Sequence, residues 1–521
     1  MTNQQDTQRR LIEALKDPAR YPHPADSVEC IETHISWVLL AGEYAYKFKK
    51  PLDLGFLDFS TLEQRRFFCE EELRINRRLA PDLYQAVVAF SGAPDAPEFD
   101  GGDEAFEYAV RMVRFDRDRQ LDTLLSQDAL PLEWMDELAA RVADFHGHLP
   151  GAAPDDAHGT PEAVFAPMVE NFEQLRGLLS APDRVEQLDR LEGWTRDRYQ
   201  ALSATLDERH RQGFVRECQG DMHLGNMAHI DGQLLIFDGI EFSEDLRWID
   251  IMSEVAFVTM DLLDRGASAH AHRFLNAWLE QGGDYEGLAL LRFYQVYRAM
   301  VRAKVTGIRL GQEGISETER REAEDRCHGY LDLADRLTRT TRPTLFINHG
   351  LSGSGKTTAS QPLVERLGII RIRSDVERKR LAGMDSRERD LGDVGSGIYS
   401  GDMSERTYTR LSELAAHIIC AGFSVIVDAT FLKRVQRDRF AALARQSGTP
   451  FHVLDYQAPE SVLRDRIRDR QAADRDASDA GIEVLEHQLA SAEPLGADES
   501  VLVIDTQGDV PVEAIERLVT G

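Results

Sequence analysis

The sequence predicts a chain of two parts: an α+β region with a β-rich lobe and a helical lobe, then a three-layer α/β/α domain built on a parallel sheet. Three observations carry this. Short β-rich runs crowd the first 118 or so residues. Helical patterns dominate from about Leu121 to Leu337. After Pro343, short apolar runs alternate with helical segments, the texture of strands crossed over by helices. The expected boundaries are 1–340 (small lobe about 1–118, helical lobe about 119–340) and 341–521.

In the small lobe the runs are VECIETHIS, WVLLAG and EYAYKFKK, between Val28 and Lys49. An amphipathic helix is expected from about Leu62 to Leu79. LYQAVVAF and FEYAVRMVRF follow as strands, separated by the turn-rich SGAPDAPEFDGGD. One hairpin interrupts the helical lobe. NMAHI and QLLIF flank Asp231-Gly232, a dipeptide that supplies the positive φ angles of a tight hairpin turn. The charged helix SETERREAEDRCHGYLDLADRLTR closes the lobe. In the last part the expected strands are TLFIN, GIIRI, SVIVDA, FHVLDY and SVLVID.

Composition narrows the function classes. The 521 residues carry 61 Lys and Arg against 90 Asp and Glu, a formal charge of −29. Such a surface repels a phosphate backbone at long range, so nucleic acid is a poor default partner. A nucleic-acid 5′ end stays among the acceptors to be tested. The five cysteines are scattered without a C-x-x-C, which argues against a disulfide framework or zinc site and fits a reducing cytoplasm. The N-terminus is polar, without the apolar core of a signal peptide, and no apolar run is long enough to span a bilayer. Oligomeric state is not readable.

Gly350-Leu351-Ser352-Gly353-Ser354-Gly355-Lys356-Thr357 fits G-x-x-x-x-G-K-[ST], with a strand before it and a helix after it. The glycines let the backbone curl so that its N–H groups face phosphates. Lys356 reaches phosphate oxygens, Thr357 offers a hydroxyl to Mg²⁺, and Thr358 continues the nucleotide-binding segment. The segment therefore predicts ATP with Mg²⁺. Asp428 ends SVIVD, where an acid serves Mg²⁺ through water, and Asp375 ends RIRSD; ligands of open α/β sheets bind beyond these strand ends. A helix N-cap is the alternative role for both acids. Arg466 and Arg470, four apart on an expected helix, share a face. They suit either a lid over the transferred phosphate or a solvated charged face.

SD-x-x-RKRLAG, YSGDMSERTY, VIVDATF and RDRIRDR follow in order. Together with the glycine-rich loop, over about residues 344–488, they resemble the small P-loop kinases related to polynucleotide kinase, gluconate kinase and zeta-type toxins. The resemblance implies that Asp375 is the base at the acceptor hydroxyl and that Arg466 and Arg470 are lid arginines on the phosphates. Lys379 and Arg380 are weaker candidates for holding an anionic substrate.

A second constellation surrounds the hairpin. Asp221 and Asn226 share the loop Gln219–Asn226, and the hairpin returns the chain so that Asp238 comes back near Asn226. Asn226 and Asp238 suit a hard, oxygen-preferring Mg²⁺. Asp221 is left to accept a proton from a hydroxyl. This arrangement resembles the aminoglycoside phosphotransferase and protein-kinase-like fold, whose loop is H-G-D-x-x-x-x-N followed by an Asp after a hairpin. The resemblance makes Lys47 the strand-three lysine and Glu72 its helix partner. Lys49 lies on the same strand face and is the alternative. Two departures stand out: Gln219 replaces the loop histidine, and no G-x-G-x-x-G precedes Lys47. Thr33, His34 and Ser36 are the residues that could meet phosphate in its place. Arg247 and Asp250 are expected to brace the loop, and His146 to pack or cap.

The sequence thus predicts a bifunctional phosphotransferase, each part passing the ATP γ-phosphate to a hydroxyl of unknown identity. The alternative is a P-loop kinase, toxin-like or acting on small molecules or nucleic-acid ends, whose N-terminal part is a non-catalytic nucleotide-binding regulator or antidote.

Overall fold

The computed structural model describes residues 3–55, 57–100, 104–310, 315–384, 398, 400–473 and 481–520. In chain order, α1 (Asn3–Ala14) precedes β1 (Val28–Glu32), β2 (Ser36–Ala41), β3 (Tyr44–Lys49), α2 (Leu62–Asn76), β4 (Tyr84–Ala93), β5 (Ala96–Phe99) and β6 (Glu107–Val113). Then come α3 (Leu121–Ser126), α4 (Trp134–His148), α5 (Pro161–Leu178), α6 (Pro182–Arg211), β7 (Val215–Glu217), β8 (Met227–Ile230), β9 (Gln233–Ile236) and β10 (Trp248–Asp250). The helices α7 (Ile251–Asp264), α8 (Ser268–Gly282), α9 (Leu288–Leu310) and α10 (Glu317–Leu337) lead to β11 (Leu345–His349) and α11 (Lys356–Leu367). The rest is β12 (Ile370–Arg373), α12 (Ser374–Leu381), α13 (Gly401–Cys420), β13 (Val425–Asp428), α14 (Arg434–Ser447), β14 (Phe451–Gln457), α15 (Glu460–Ala473), α16 (Ile482–Ser491), β15 (Val501–Asp505) and α17 (Val512–Thr520).

Contacts divide the chain into two compact units. The first is Met1–Pro131, Phe145–Glu170 and Ser203–Asp261; the second is Leu132–Asp144, Asn171–Leu202 and Leu262–Gly521. The expected boundary lies near residue 340, whereas α8, α9 and α10, which precede it, belong to the second unit.

The first unit holds a six-stranded antiparallel sheet in the order β1-β2-β3-β6-β4-β5. The turn-rich stretch after β4 therefore contains a strand, β5, which pairs back on β4; residues 101–103 at its end lie outside the described residues. Alternation places Tyr46 and Phe48 in a core with Leu39, Val88 and Phe90, while Lys47 projects from the opposite face of the same strand. The helix α2 begins at a capping box in which Thr61 and Gln64 satisfy each other's backbone N–H groups. The β8–β9 hairpin turns on Asp231 (φ 50°) and Gly232 (φ 78°), the two positive angles the dipeptide predicts. A sheet of this kind with one helix, followed by helices and this hairpin, is the arrangement expected from sequence for this part of the chain.

The second unit holds a five-stranded, all-parallel sheet in the order β12-β13-β11-β14-β15. Its five strands are the five apolar runs expected from sequence. Phe346, Ile426, Leu454 and Ile504 of neighbouring strands pack on Leu363 of α11 and Ile515 of α17. This is the three-layer P-loop arrangement. Its edge strand β12 is covered by α8. Asn276 donates to Ile369 O at 3.2 Å and accepts from Arg371 N–H at 3.0 Å, so a side chain completes the ladder. His272 meets the Glu365 carbonyl at 2.9 Å near the end of α11. No helix among the described residues is long and apolar enough to cross a membrane.

Candidate functional sites

In the first unit, Lys47 Nζ lies 2.9 Å from Glu72 Oε1 and 2.5 Å from Asp238 Oδ1. Lys49 lies 2.7 Å from Glu72 Oε2 and also contacts Glu241. Both lysines therefore converge on one carboxylate. Lys47 reaches Asp238, whose side chain is 47% exposed, whereas Lys49 is wholly buried. Burial opposes charge on Glu72, but the two ammonium groups outweigh it and hold its carboxyl down at about 2. Burial pushes the neighbouring Glu241 carboxyl up. Glu70 and Glu71 pair with Arg66 and Arg74 instead.

The loop at Asp221 is held from several sides. Asn226 Nδ2 donates to Asp221 O (3.0 Å) and to its Oδ2 (3.1 Å). Gln219, standing where the resemblance expects histidine, accepts from Asp221 N–H at 2.9 Å and donates to Phe237 O at 2.8 Å. That second bond ties the loop to the residue before Asp238. Glu254 of α7 accepts from the N–H groups of Gln219 and Gly220, both at 2.8 Å, and meets His146 Nε2 at 2.9 Å. At Gly220 (φ 88°) a Cβ would stand 2.8 Å from Leu246 O, so the turn into Asp221 requires glycine. The Phe237 N–H donates to Asn226 O at 2.9 Å, which returns the hairpin beside Asn226. His223 Nδ1 accepts from Gly225 N–H at 3.1 Å, a supporting role. Arg247 donates to the carbonyls of Ile240 and Glu241, while Asp250 pairs with Arg209.

The β1–β2 connection corrects one expectation. Thr33 and Ser36 are bonded to each other: the Ser36 N–H donates to Thr33 Oγ1 (3.0 Å) and the Thr33 N–H to Ser36 O (2.9 Å). Ser36 is 1% exposed. The tight turn takes up the Thr33 hydroxyl and the Thr33 and Ser36 N–H groups, part of what sequence reasoning offered to phosphate.

In the second unit the loop 350–357 connects β11 to α11. Lys356 Nζ donates to Gly350 O (3.0 Å) and Leu351 O (2.8 Å). Burial lowers its pKa to about 8, with Asp428 and Asp375 acting in the opposite direction and Arg470 adding to the lowering. Thr357 Oγ1 donates to Asp428 Oδ2 at 2.6 Å, and Asn348 Nδ2 donates to Asp428 Oδ1 at 3.0 Å. At Gly353 (φ 81°) a Cβ would stand 2.6 Å from Leu463 O, which brings α15 against the loop. The Ser352 N–H donates to Gln488 Oε1 at 2.8 Å, so α16 also touches it. Thr358, next along α11, is exposed.

Asp375 sits in the first turn of α12, after β12 has ended at Arg373, and pairs with Arg378 at 2.9 Å. It is not the N-cap, a position held by Arg373. Arg466 donates to Thr506 Oγ1 (2.8 Å) and to Thr506 O (2.9 Å), with its guanidinium beside Gly355. It is anchored at the loop rather than on a solvated face. Arg470 lies one turn further on the same helix. Of the YSGDMSERTY segment, Tyr399 lies outside the described residues.

Both donor sets fit a hard divalent cation. Thr357 with Asp428, and Asn226 with Asp238, offer only oxygen to a metal. Sequence reasoning missed Glu241 and Asn348. The signals were present: an acid three residues after Asp238, and a carboxamide inside the apolar strand LFINH.

Residues 345–495 match the AAA domain family. An uncharacterized protein of Mycobacterium tuberculosis (strain ATCC 25618 / H37Rv) is 28% identical over 452 residues, covering 87% of this chain and 88% of its own. Among solved structures, a choline/ethanolamine kinase family protein from Mesorhizobium loti is 11% identical with a TM-score of 0.38, covering 64% of this chain and 97% of its own. A gluconokinase from Sinorhizobium meliloti 1021 is 22% identical with a TM-score of 0.24, covering 35% of this chain and 91% of its own.

Proposed function

We propose that the protein is an ATP-dependent phosphotransferase with two sites, one in each unit, each passing the γ-phosphate to a hydroxyl acceptor. The observation that supports it is the recurrence of one chemical set. In the first unit, Lys47 stands by Asp238, and Asp221 is fixed on a braced loop. In the second, Lys356, the Thr357–Asp428 pair and Asp375 frame the glycine-rich loop. Phosphoryl transfer asks of a protein mainly positioning and charge neutralisation. Lys47, held by Glu72, would meet phosphate oxygens, and Asp221 would accept the acceptor's proton. In the second unit, phosphate oxygens would replace the two carbonyls on Lys356. Asp375 is the proposed base, and Arg466 with Arg470 would face the phosphates from α15. Mg²⁺, held by Asn226 and Asp238 in one site and by Thr357 and Asp428 in the other, would supply charge neutralisation at the phosphates.

The acceptor class is small molecules with hydroxyls, and the free cysteines suit a cytoplasmic protein. The tight Thr33–Ser36 turn favours one second reading, in which the first unit binds nucleotide without catalysing transfer. The test is ADP release by the full chain with ATP and Mg²⁺ across a panel of hydroxyl metabolites, repeated with Asp221→Asn and with Lys356→Ala. Turnover of different acceptors lost in each variant supports two catalysts. Loss confined to Lys356→Ala supports the second reading, and no ADP from any acceptor counts against both.

A further inference from the structure

Strand β11 is the centre of the parallel sheet, and Leu345, Phe346 and Ile347 on it are fully buried apolar residues. Asn348 follows them and is also fully buried. A carboxamide in such a place has two hydrogen-bonding ends to satisfy. One end is accounted for: Nδ2 donates to Asp428 Oδ1 at 3.0 Å. The other is not, since Oδ1 has no hydrogen-bond partner among the described residues. Rotating the amide by half a turn would set its oxygen against the Asp428 carboxylate, so the orientation is fixed by charge. Buried acceptors without partners are rare in folded proteins and point to a group that completes them.

Position says what that group is. Asp428 accepts from Asn348 on one oxygen and from Thr357 on the other. The orphaned oxygen therefore belongs to the side chain braced against the acid that sits beside the loop threonine. A magnesium ion there keeps several of its waters, and each bound water donates two strong hydrogen bonds. Asp428 can take some of them, and a neutral acceptor next to it takes another.

Resting on the reading of this loop as a nucleotide site, we infer that Asn348 is a positioning residue of the metal centre: its Nδ2 orients Asp428, and its Oδ1 accepts a hydrogen bond from a water on the nucleotide-bound divalent cation. The carboxamide suits both tasks at once. Aspartate in its place would lose the donor and press a second charge on Asp428. Leucine would fill the volume and lose both bonds.

The test is the affinity of Mn²⁺ for the full chain in the presence of ADP, read by electron paramagnetic resonance, in an Asp238→Ala background that removes the proposed metal ligand of the other unit. ADP binding without metal is measured alongside. Asn348→Leu is expected to weaken Mn²⁺ about 10- to 100-fold, the effect of removing a residue that holds a metal's ligands, while metal-free ADP binding holds within about twofold of the parent. Thermal melting of the metal-free variant is expected to stay close to the parent, because losing the bond to Asp428 and removing the unsatisfied Oδ1 act in opposite directions. Asn348→Asp, which keeps the shape, is also expected to lose Mn²⁺ affinity. Unchanged Mn²⁺ affinity in a folded Asn348→Leu protein overturns the inference and leaves the nucleotide site standing. A lowered melting temperature with unchanged Mn²⁺ affinity overturns it too, by assigning Asn348 a structural role. Failure of the parent to bind Mn²⁺ with ADP, with no difference from Lys356→Ala, overturns the nucleotide site itself and this inference with it.

Discussion

The carboxamide of Asn226 donates to the carboxylate of Asp221 at 3.1 Å and to its main-chain carbonyl at 3.0 Å. One side chain thus fixes both the backbone and the head group of the proposed base. Asp221→Asn keeps an acceptor oxygen for that bond while removing the basic group. Turnover at the first site is expected to fall about 10²- to 10⁴-fold, the usual worth of a positioned base. Nucleotide affinity is expected to stay within about twofold. Calorimetry beside steady-state rates checks both; a parallel fall in affinity would give Asp221 a binding role instead.

Glu72 is buried between two ammonium groups, at 2.9 Å from Lys47 and 2.7 Å from Lys49. Glu72→Gln removes the carboxylate the two ammonium groups share, leaving Lys47 with Asp238 and Lys49 with Glu241, and breaking a buried pair costs about 3–5 kcal/mol. Glu241 still faces Lys49, so the lower end of that range is expected. Chemical denaturation of the first unit's transition measures it, and a change under about 1 kcal/mol would show that the pair carries little stability.

Lys356 gives a pH dependence of definite sign. Burial lowers it from 10.5 to about 8 in the folded chain. Between these values the unfolded chain binds more protons than the folded one, so this group's contribution to stability rises with pH across the window. Phosphate binding needs the ammonium and pulls the other way. ATP binding to the loop is therefore expected to weaken as pH rises above about 8 and to take up a proton there. Calorimetry at pH 8.5–9 in buffers of different ionisation heat reads the uptake, and Lys356→Met is expected to abolish it. Equal heats in all buffers for the parent would contradict the assignment.

Asn276 completes the edge of the parallel sheet through Ile369 O and Arg371 N–H. Asn276→Leu leaves a buried donor and acceptor unpaired, at a cost of about 1–3 kcal/mol for a lost partner. Hydrogen exchange at the Arg371 amide is expected to quicken in the variant. Unaltered protection would mean that water or a shifted helix replaces the side chain.

What could be read from the sequence was local. The glycine-rich loop, the Asp231-Gly232 turn and the five apolar strands each follow from neighbours within a few residues. So does the loop from Gln219 to Asn226, because its residue types sit at fixed spacing. The pairing of Glu72 with both lysines needed the register of α2 against β3, which sequence only narrows. Asn276, Glu241 and Asn348 act on partners 93, 192 and 80 residues away. Nothing in α8 marks Asn276 as a strand partner, since its role exists only once β12 lies beside it. The Thr33–Ser36 turn failed for a different reason: the Thr33 hydroxyl, read as available to a ligand, is spent on the Ser36 main chain.

One chain is proposed to carry two nucleotide sites of different build. The most direct measurement is the stoichiometry of a non-hydrolysable ATP analogue with Mg²⁺, by equilibrium dialysis of the full chain. Two molecules per chain are expected, falling to one in Lys356→Ala and to one in a Lys47→Ala variant. One molecule per chain in the parent, with none in Lys356→Ala, would contradict the account and leave the loop at 350–357 as the only site.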